Sequence, residues 1–264
     1  MARQLMIYES AVPVSHTRHA KGSVDVGADF GFSHGVNSVP LTAVEFPAAA
    51  NEYVIIFAGN GDVVTPAVLL GMRDEENLYL AQGGGWKARY VPAFLRRYPF
   101  VFASRDEGKN FTLCIDESFA GFNQEGRGRA LYDEPQKPSQ YTQNVLKFLQ
   151  QYQVEFQRTQ AFCAKLKELN LLEPMRAQIS LESGEKIALG GFMAVDRARL
   201  KTLSSDKLAE LVKSDEMELI YAHLLSMRNF AGMRERLQAA APVTTVAKGA
   251  QPEPGEVRAA TPAQ

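Results

Sequence analysis

Two periodicities divide the chain. Between residues 53 and 115 the apolar positions come in short runs rich in Val, Ile, Phe and Tyr: YVIIF at 53–57, VVTPAVLLGM at 63–72, and segments at 78–80, 86–91, 100–103 and 111–115. Turn-forming clusters separate them, among them Gly59-Asn60-Gly61-Asp62 and Gly83-Gly84-Gly85. Short apolar runs between such turns predict β-strands. The gaps are shorter than the dozen residues a parallel crossover needs, so the pairing is expected to be antiparallel. Pro66 points to an edge or a bulge within its strand. A short helical piece is expected over residues 45–51, whereas residues 1–40 are polar and irregular.

After a loop-like stretch at 118–138, the period becomes 3.6. Tyr141, Val145, Phe148, Leu149, Tyr152, Phe156, Cys163, Leu166 and Leu169 form one stripe, with Ser139 placed to cap the helix and Asn170 to end it. That helix would be roughly 40 Å long. Residues 177–195 read as a hairpin turning at Ser183-Gly184. Two further helices follow, one capped by Ser204 or Ser205, the other by a capping box of Asp215 and Glu218. The expected class is α+β: a curved, mainly antiparallel sheet over residues 39–115, extended by the hairpin and packed by one long helix and two C-terminal helices. Residues 1–238 are expected to form one domain. From 239 to 264 the chain is rich in Ala and Pro without apolar periodicity, which predicts a flexible tail.

Composition narrows the function classes. The 264 residues carry 29 basic and 30 acidic side chains, a net charge of −1. This excludes a histone-like field for nucleic acid, and no nucleic-acid partner is expected. No run approaches the roughly 18 apolar residues of a membrane span, and no apolar segment follows a basic start at the N-terminus, so a cytoplasmic location is expected. The two cysteines, Cys114 and Cys163, show no metal-ligand spacing.

Candidate chemistry is sparse. His16 and His19 form HxxH near Asp25, Asp29 and His34, but the segment lacks a helical pattern that would align them, and neither a metal nor a cofactor is expected. Gly59-x-Gly61 lacks the third glycine of a dinucleotide loop, since position 64 is Val. The stretch WKARYVPAFLRRYPFVF is distinctive. Pro92 suits the start of a short helix and Pro99 ends it, which leaves Arg96 and Arg97 at its C-terminus. Paired guanidinium groups walled by Trp86, Tyr90 and Tyr98 would suit a carboxylate or phosphate. For acid–base chemistry the candidates are His19, Asp116 at the end of a strand, and His223 on the last helix.

Assembled in order, VPLTAVEFPAAANEYVIIF, PAVLLGM, WKARYVPAFLRRYPF, LCID, GGFMAVDRARLKTL and LIYAHLLSMRNF resemble the bacterial SapC family over residues 5–230. That family takes its name from a surface-array gene neighbourhood. The resemblance implies a single SapC-like domain and supplies no catalytic residues. The expected function is a cytoplasmic accessory or binding protein that recognises an anionic group on a peptide, protein or small molecule, with a protein or peptide as partner. The alternatives are an enzyme using His and Asp chemistry on a peptide or amino acid, and a surface-layer-associated structural protein.

Overall fold

A computed structural model describes residues 6–59, 63–104, 110–134 and 136–240. In chain order, β1 (Ala11–Pro13), α1 (His16–His19), β2 (Ser23–Val24) and β3 (Ser38–Pro40) lead into α2 (Phe46–Ala49). Then come β4 (Ile55–Ala58), β5 (Thr65–Leu69), α3 (Ala93–Arg96), β6 (Phe100–Ala103) and β7 (Thr112–Asp116). The short strands β8 (Phe122–Asn123), β9 (Arg129–Ala130), β10 (Tyr132–Glu134) and β11 (Lys137–Pro138) precede α4 (Gln140–Glu168). The chain continues through β12 (Leu172–Ser180), β13 (Lys186–Val195), α5 (Arg197–Lys201), α6 (Ser205–Lys213), α7 (Glu216–Ser226) and α8 (Phe230–Ala240). The fold is α+β with antiparallel strands, a long helix and C-terminal helices.

The strands are divided among several sheets. Five pair in the order β12-β13-β4-β5-β3, so the C-terminal hairpin does extend the sheet of β4 and β5. The pair β6-β7, expected in that same sheet, belongs instead to a three-stranded sheet with β1, in which Ala11 faces Asp116 and Val12 faces Ile115. The partner strand is three residues long and about a hundred positions away, too short to carry a period. Residues 118–138, read as loop, contain β8 to β11, and β2 lies between β8 and β9. The strand expected at 86–91 reduces to one bridge between Leu80 and Trp86. Its N–H groups are taken elsewhere, since the Glu52 carboxylate accepts from the backbone N–H of both Arg89 and Tyr90 at 2.9 Å. Of the turn expected at 59–62, residues 60–62 lie outside the described residues, as do 241–264 of the expected tail.

Ser139 caps α4 as its position predicts, its side chain accepting from the Thr142 N–H at 3.2 Å. The helix is about 44 Å long and joins two apolar clusters. Its first half contributes Leu149 to a cluster with Val24, Phe100, Ile115 and Leu131. Its second half contributes Phe162, Cys163 and Leu166 to the larger core around the five-stranded sheet. Ser204 caps α6, but Asp215 sits at φ 59° before α7 and makes no side-chain cap.

The backbone approaches closely at Gly128, whose φ is +83°. A Cβ there would stand 2.4 Å from the carbonyl oxygen of Val24 on β2 and 2.6 Å from Cα of Asp25 directly after it, both backbone atoms. Gly128→Ala is expected to cost about 2–3 kcal/mol in urea unfolding. A cost below 0.5 kcal/mol would contradict this packing.

Candidate ligand-binding site

The site lies where α3 meets α4, at the seam of the two clusters. It is organised by a buried carboxylate. Glu45 Oε2 accepts from the backbone N–H and hydroxyl of Thr42, at 2.8 and 2.7 Å. Its Oε1 accepts from the Tyr90 hydroxyl and the Ala93 N–H, both at 2.7 Å. Four donors satisfy a group that would otherwise be costly to bury. They also anchor the first residue of α3 to the segment before α2. Burial pushes the Tyr90 phenol well above its ordinary pKa, and the Glu45 charge adds to that.

Arg96 continues this chain of bonds to the surface. Its Nε donates to the Val91 carbonyl at 2.9 Å and its Nη2 to the Tyr90 hydroxyl at 3.3 Å. The guanidinium lies 5.6 Å from the Tyr90 ring centroid and 5.5 Å from that of Phe148. Arg96 is exposed, and among the described residues no carboxylate lies within ion-pair distance of it. The arrangement is a cation with one edge tied down and the other open to water.

Arg97 turns into the protein. It is 4% exposed, with its guanidinium 4.2 Å from the Phe94 ring centroid, 5.1 Å from that of Tyr152 and 5.7 Å from that of Tyr8. Neighbouring Arg96 and Arg97 therefore do not converge into one clamp. Tyr98 stacks on Phe32 at 4.1 Å, and its hydroxyl donates to Asp116 Oδ2 at 3.4 Å. Trp86 donates to the Tyr53 hydroxyl at 2.7 Å and to the Tyr90 carbonyl at 3.3 Å, and its ring lies 5.5 Å from that of Phe30. Of the five predicted ligand-binding residues, Tyr90 joins two others: its hydroxyl accepts from Arg96 Nη2 and its carbonyl from Trp86 Nε1, each at 3.3 Å.

Beside Phe94 and Tyr152 the structure opens a cavity of about 200 Å³. Its floor is the sheet of β3, β5 and β4, and its walls include Met6, Phe94, Tyr152 and Phe156. Phe148, Tyr152 and Phe156 follow at i, i+4 and i+8 on α4, so one stripe carries the Arg96 contact, the Arg97 contact and the cavity wall. That stripe was visible in the sequence as a core-facing period. Its part in a site was not, because the residues opposite come from β3, β5 and α3.

The acid–base candidates occupy separate places. His223 is fully buried, its Nδ1 3.0 Å from the Ile55 carbonyl and its Nε2 accepting from the Val195 N–H at 3.0 Å. Strands β4 and β13 pair at Phe57–Met193 and part beyond it, and this imidazole bridges the gap they leave. Asp116, also fully buried, accepts from the backbone N–H groups of Glu9, Ser10 and Ser118 at 2.9, 3.0 and 3.0 Å. His19 sits on α1, where the sequence pattern suggested no helix. Its Nε2 lies 3.1 Å from Glu117 Oε1, and Arg18 grips the same carboxylate through Nε at 2.7 Å. The hydrogen bond from Arg18 does most to hold the Glu117 carboxyl below its ordinary range. His19 and Asp116 are thus near each other only through the end of β7, and His223 belongs to the other sheet. Among the described residues, no three His, Cys, Asp or Glu side chains come together to hold a metal ion. No helix among them is long and apolar enough to cross a membrane.

The architecture defines an α+β protein with an apolar cavity and an adjoining surface arginine. The sequence model of the SapC family matches residues 14–233, and the chain belongs to that family. No curated protein and no solved structure matches the chain.

Proposed function

We propose that this SapC family member is a binding or accessory protein that recognises an anionic group on a peptide, protein or small molecule. The reading rests on one observation: Arg96 is held by the Val91 carbonyl, the Tyr90 hydroxyl and the Phe148 ring, while its outer N–H groups face solvent. A cation positioned before binding loses less side-chain entropy when it captures an oxyanion, and its fork matches a carboxylate or phosphate. Glu45 supports the geometry through Tyr90 without neutralising the guanidinium directly. The two cysteines are buried and free, in keeping with a cytoplasmic setting.

The test is affinity capture from an extract of the native cells by wild type and Arg96→Gln, with bound peptides, proteins and small molecules quantified by mass spectrometry. A charged hydrogen bond contributes roughly 1.5–3 kcal/mol, so a drop of about tenfold in the captured anionic species is expected. Thermal unfolding should be unchanged, because the side chain is exposed. Equal capture by both proteins would remove Arg96 from the reading.

A further inference from the structure

We infer that the anion taken by Arg96 is a planar carboxylate, bound through both of its oxygens, rather than a phosphate. This rests on the anion-binding reading and names the ligand class of that same site.

The donor count carries the argument. A guanidinium holds five N–H donors in one plane. In Arg96 the Nε–H goes to the Val91 carbonyl at 2.9 Å, and one N–H of Nη2 goes to the Tyr90 hydroxyl at 3.3 Å. These two lie on the Nε–Nη2 side of the fork, so that side is consumed by the protein. Five less two leaves three N–H groups, and two of them, one on each Nη, point outward in parallel from the tip. Their spacing matches the two oxygens of a carboxylate lying in the guanidinium plane. The direction of the fork is set further back. The Tyr90 hydroxyl gives its one proton to Glu45 at 2.7 Å, so towards Arg96 it can only accept. Glu45 in turn is held by Thr42 and by the Ala93 N–H, which fixes Tyr90 and α3 together.

Charge and shape point the same way. Arg96 supplies one positive charge, while Arg97 is turned into the core at 4% exposure. A carboxylate brings one negative charge, whereas a phosphate monoester brings about 1.5–2 near neutral pH. The excess would be repelled by the Glu45 carboxylate, which shares the Tyr90 hydroxyl with Arg96. The guanidinium also lies over the Tyr90 and Phe148 rings, at 5.6 and 5.5 Å. Aromatic faces carry negative potential, which favours the cation and offers nothing to an oxygen out of its plane. A tetrahedral phosphate has such an oxygen and a carboxylate has none.

The test compares three probes that share a phenyl ring: benzoate, phenyl phosphate and benzamide, at pH 7.5. Binding is followed by the ¹⁵N–¹H shifts of the Tyr90 and Phe148 backbone amides and, in wild type, of Arg96 Nε–H. Saturable binding of benzoate is expected, with phenyl phosphate weaker by about threefold or more and benzamide not saturating. Arg96→Gln should weaken benzoate about tenfold, and Arg96→Lys, which keeps the charge without the fork, by about as much. Arg89→Gln and Lys147→Gln remove exposed cations next to Tyr90 and Phe148 in the chain and should leave benzoate within about twofold of wild type. Phenyl phosphate binding as tightly as benzoate, with both lost in Arg96→Gln, would overturn the carboxylate assignment and leave the anion-binding reading standing. Full benzoate affinity in Arg96→Lys, or a tenfold loss in either neighbouring variant, would overturn capture by a single two-pronged cation. Benzamide binding equal to benzoate would show that the site does not read charge. Absence of Arg96-dependent binding of either anion would overturn both readings.

Discussion

His223→Leu is expected to lower the stability of the protein by about 4 kcal/mol in urea unfolding at pH 7.5. The cost arises because two backbone groups lose their partners inside the core: the Ile55 carbonyl and the Val195 N–H, each 3.0 Å from a ring nitrogen. The same geometry sets a pH dependence. Nε2 accepts a hydrogen bond, so the folded state needs the neutral ring, and burial pulls the pKa from 6.5 down to about 4. The unfolded chain therefore takes up a proton near pH 6.5 that the folded protein refuses until about pH 4. Stability from this residue is complete above pH 6.5 and is lost as the pH falls from there towards 4, by on the order of 3 kcal/mol in all. His223→Gln keeps a donor and an acceptor and does not titrate. The stability difference between wild type and His223→Gln should shrink by about 2 kcal/mol between pH 7.5 and pH 5. A difference that does not move with pH would show that the ring does not bridge β4 and β13 in its neutral form.

Asp116→Ala is expected to cost about 3–5 kcal/mol. The carboxylate is fully buried and accepts from three backbone N–H groups as well as Tyr98. Two of those groups, on Glu9 and Ser10, belong to the segment entering β1, so the loss should be local as well as global. Hydrogen exchange should show faster opening of β1 and of its ladder with β7 than of the five-stranded sheet. Asp116→Asn keeps one acceptor and should lie between wild type and Ala. A cost below 1 kcal/mol, or uniform protection across both sheets, would contradict this role. Both predictions treat former acid–base candidates as structural groups, because each already spends its polar atoms on the backbone.

The elements whose signal is local were legible in the sequence. Ser139 and the stripe from Tyr141 to Leu169 specify α4 through a cap and a period. The hairpin around Ser183-Gly184 appears as β12 and β13 because alternation and a turn suffice to define it. The aromatic–arginine stretch reads as one or two helical turns ending in Arg96-Arg97, and α3 is a single turn ending at Arg96, but the sequence does not tell which way each arginine turns. Arg96 and Arg97 are adjacent, and the rotation between successive helical positions is enough to send one to water and the other under Phe94 and Tyr152. The neighbour that organises both, Glu45, lies about fifty residues upstream and looked like an ordinary helix residue. The separation of β6 and β7 from the main sheet was equally hidden, since β1 has only three residues with which to announce itself.

What the sequence determined by itself is the class of the fold, the long helix with its cap, the C-terminal hairpin and the family. These depend on interactions a few residues apart, where propensity, capping and periodicity act. Only the tertiary structure decided that residues of β3, β4 and β5 would face Tyr152 across a hollow. It likewise decided that His223 would complete a ladder and that Arg96 would stand open to solvent. Those outcomes depend on which surfaces meet after the chain closes, and contacts between distant segments leave no period in a single sequence.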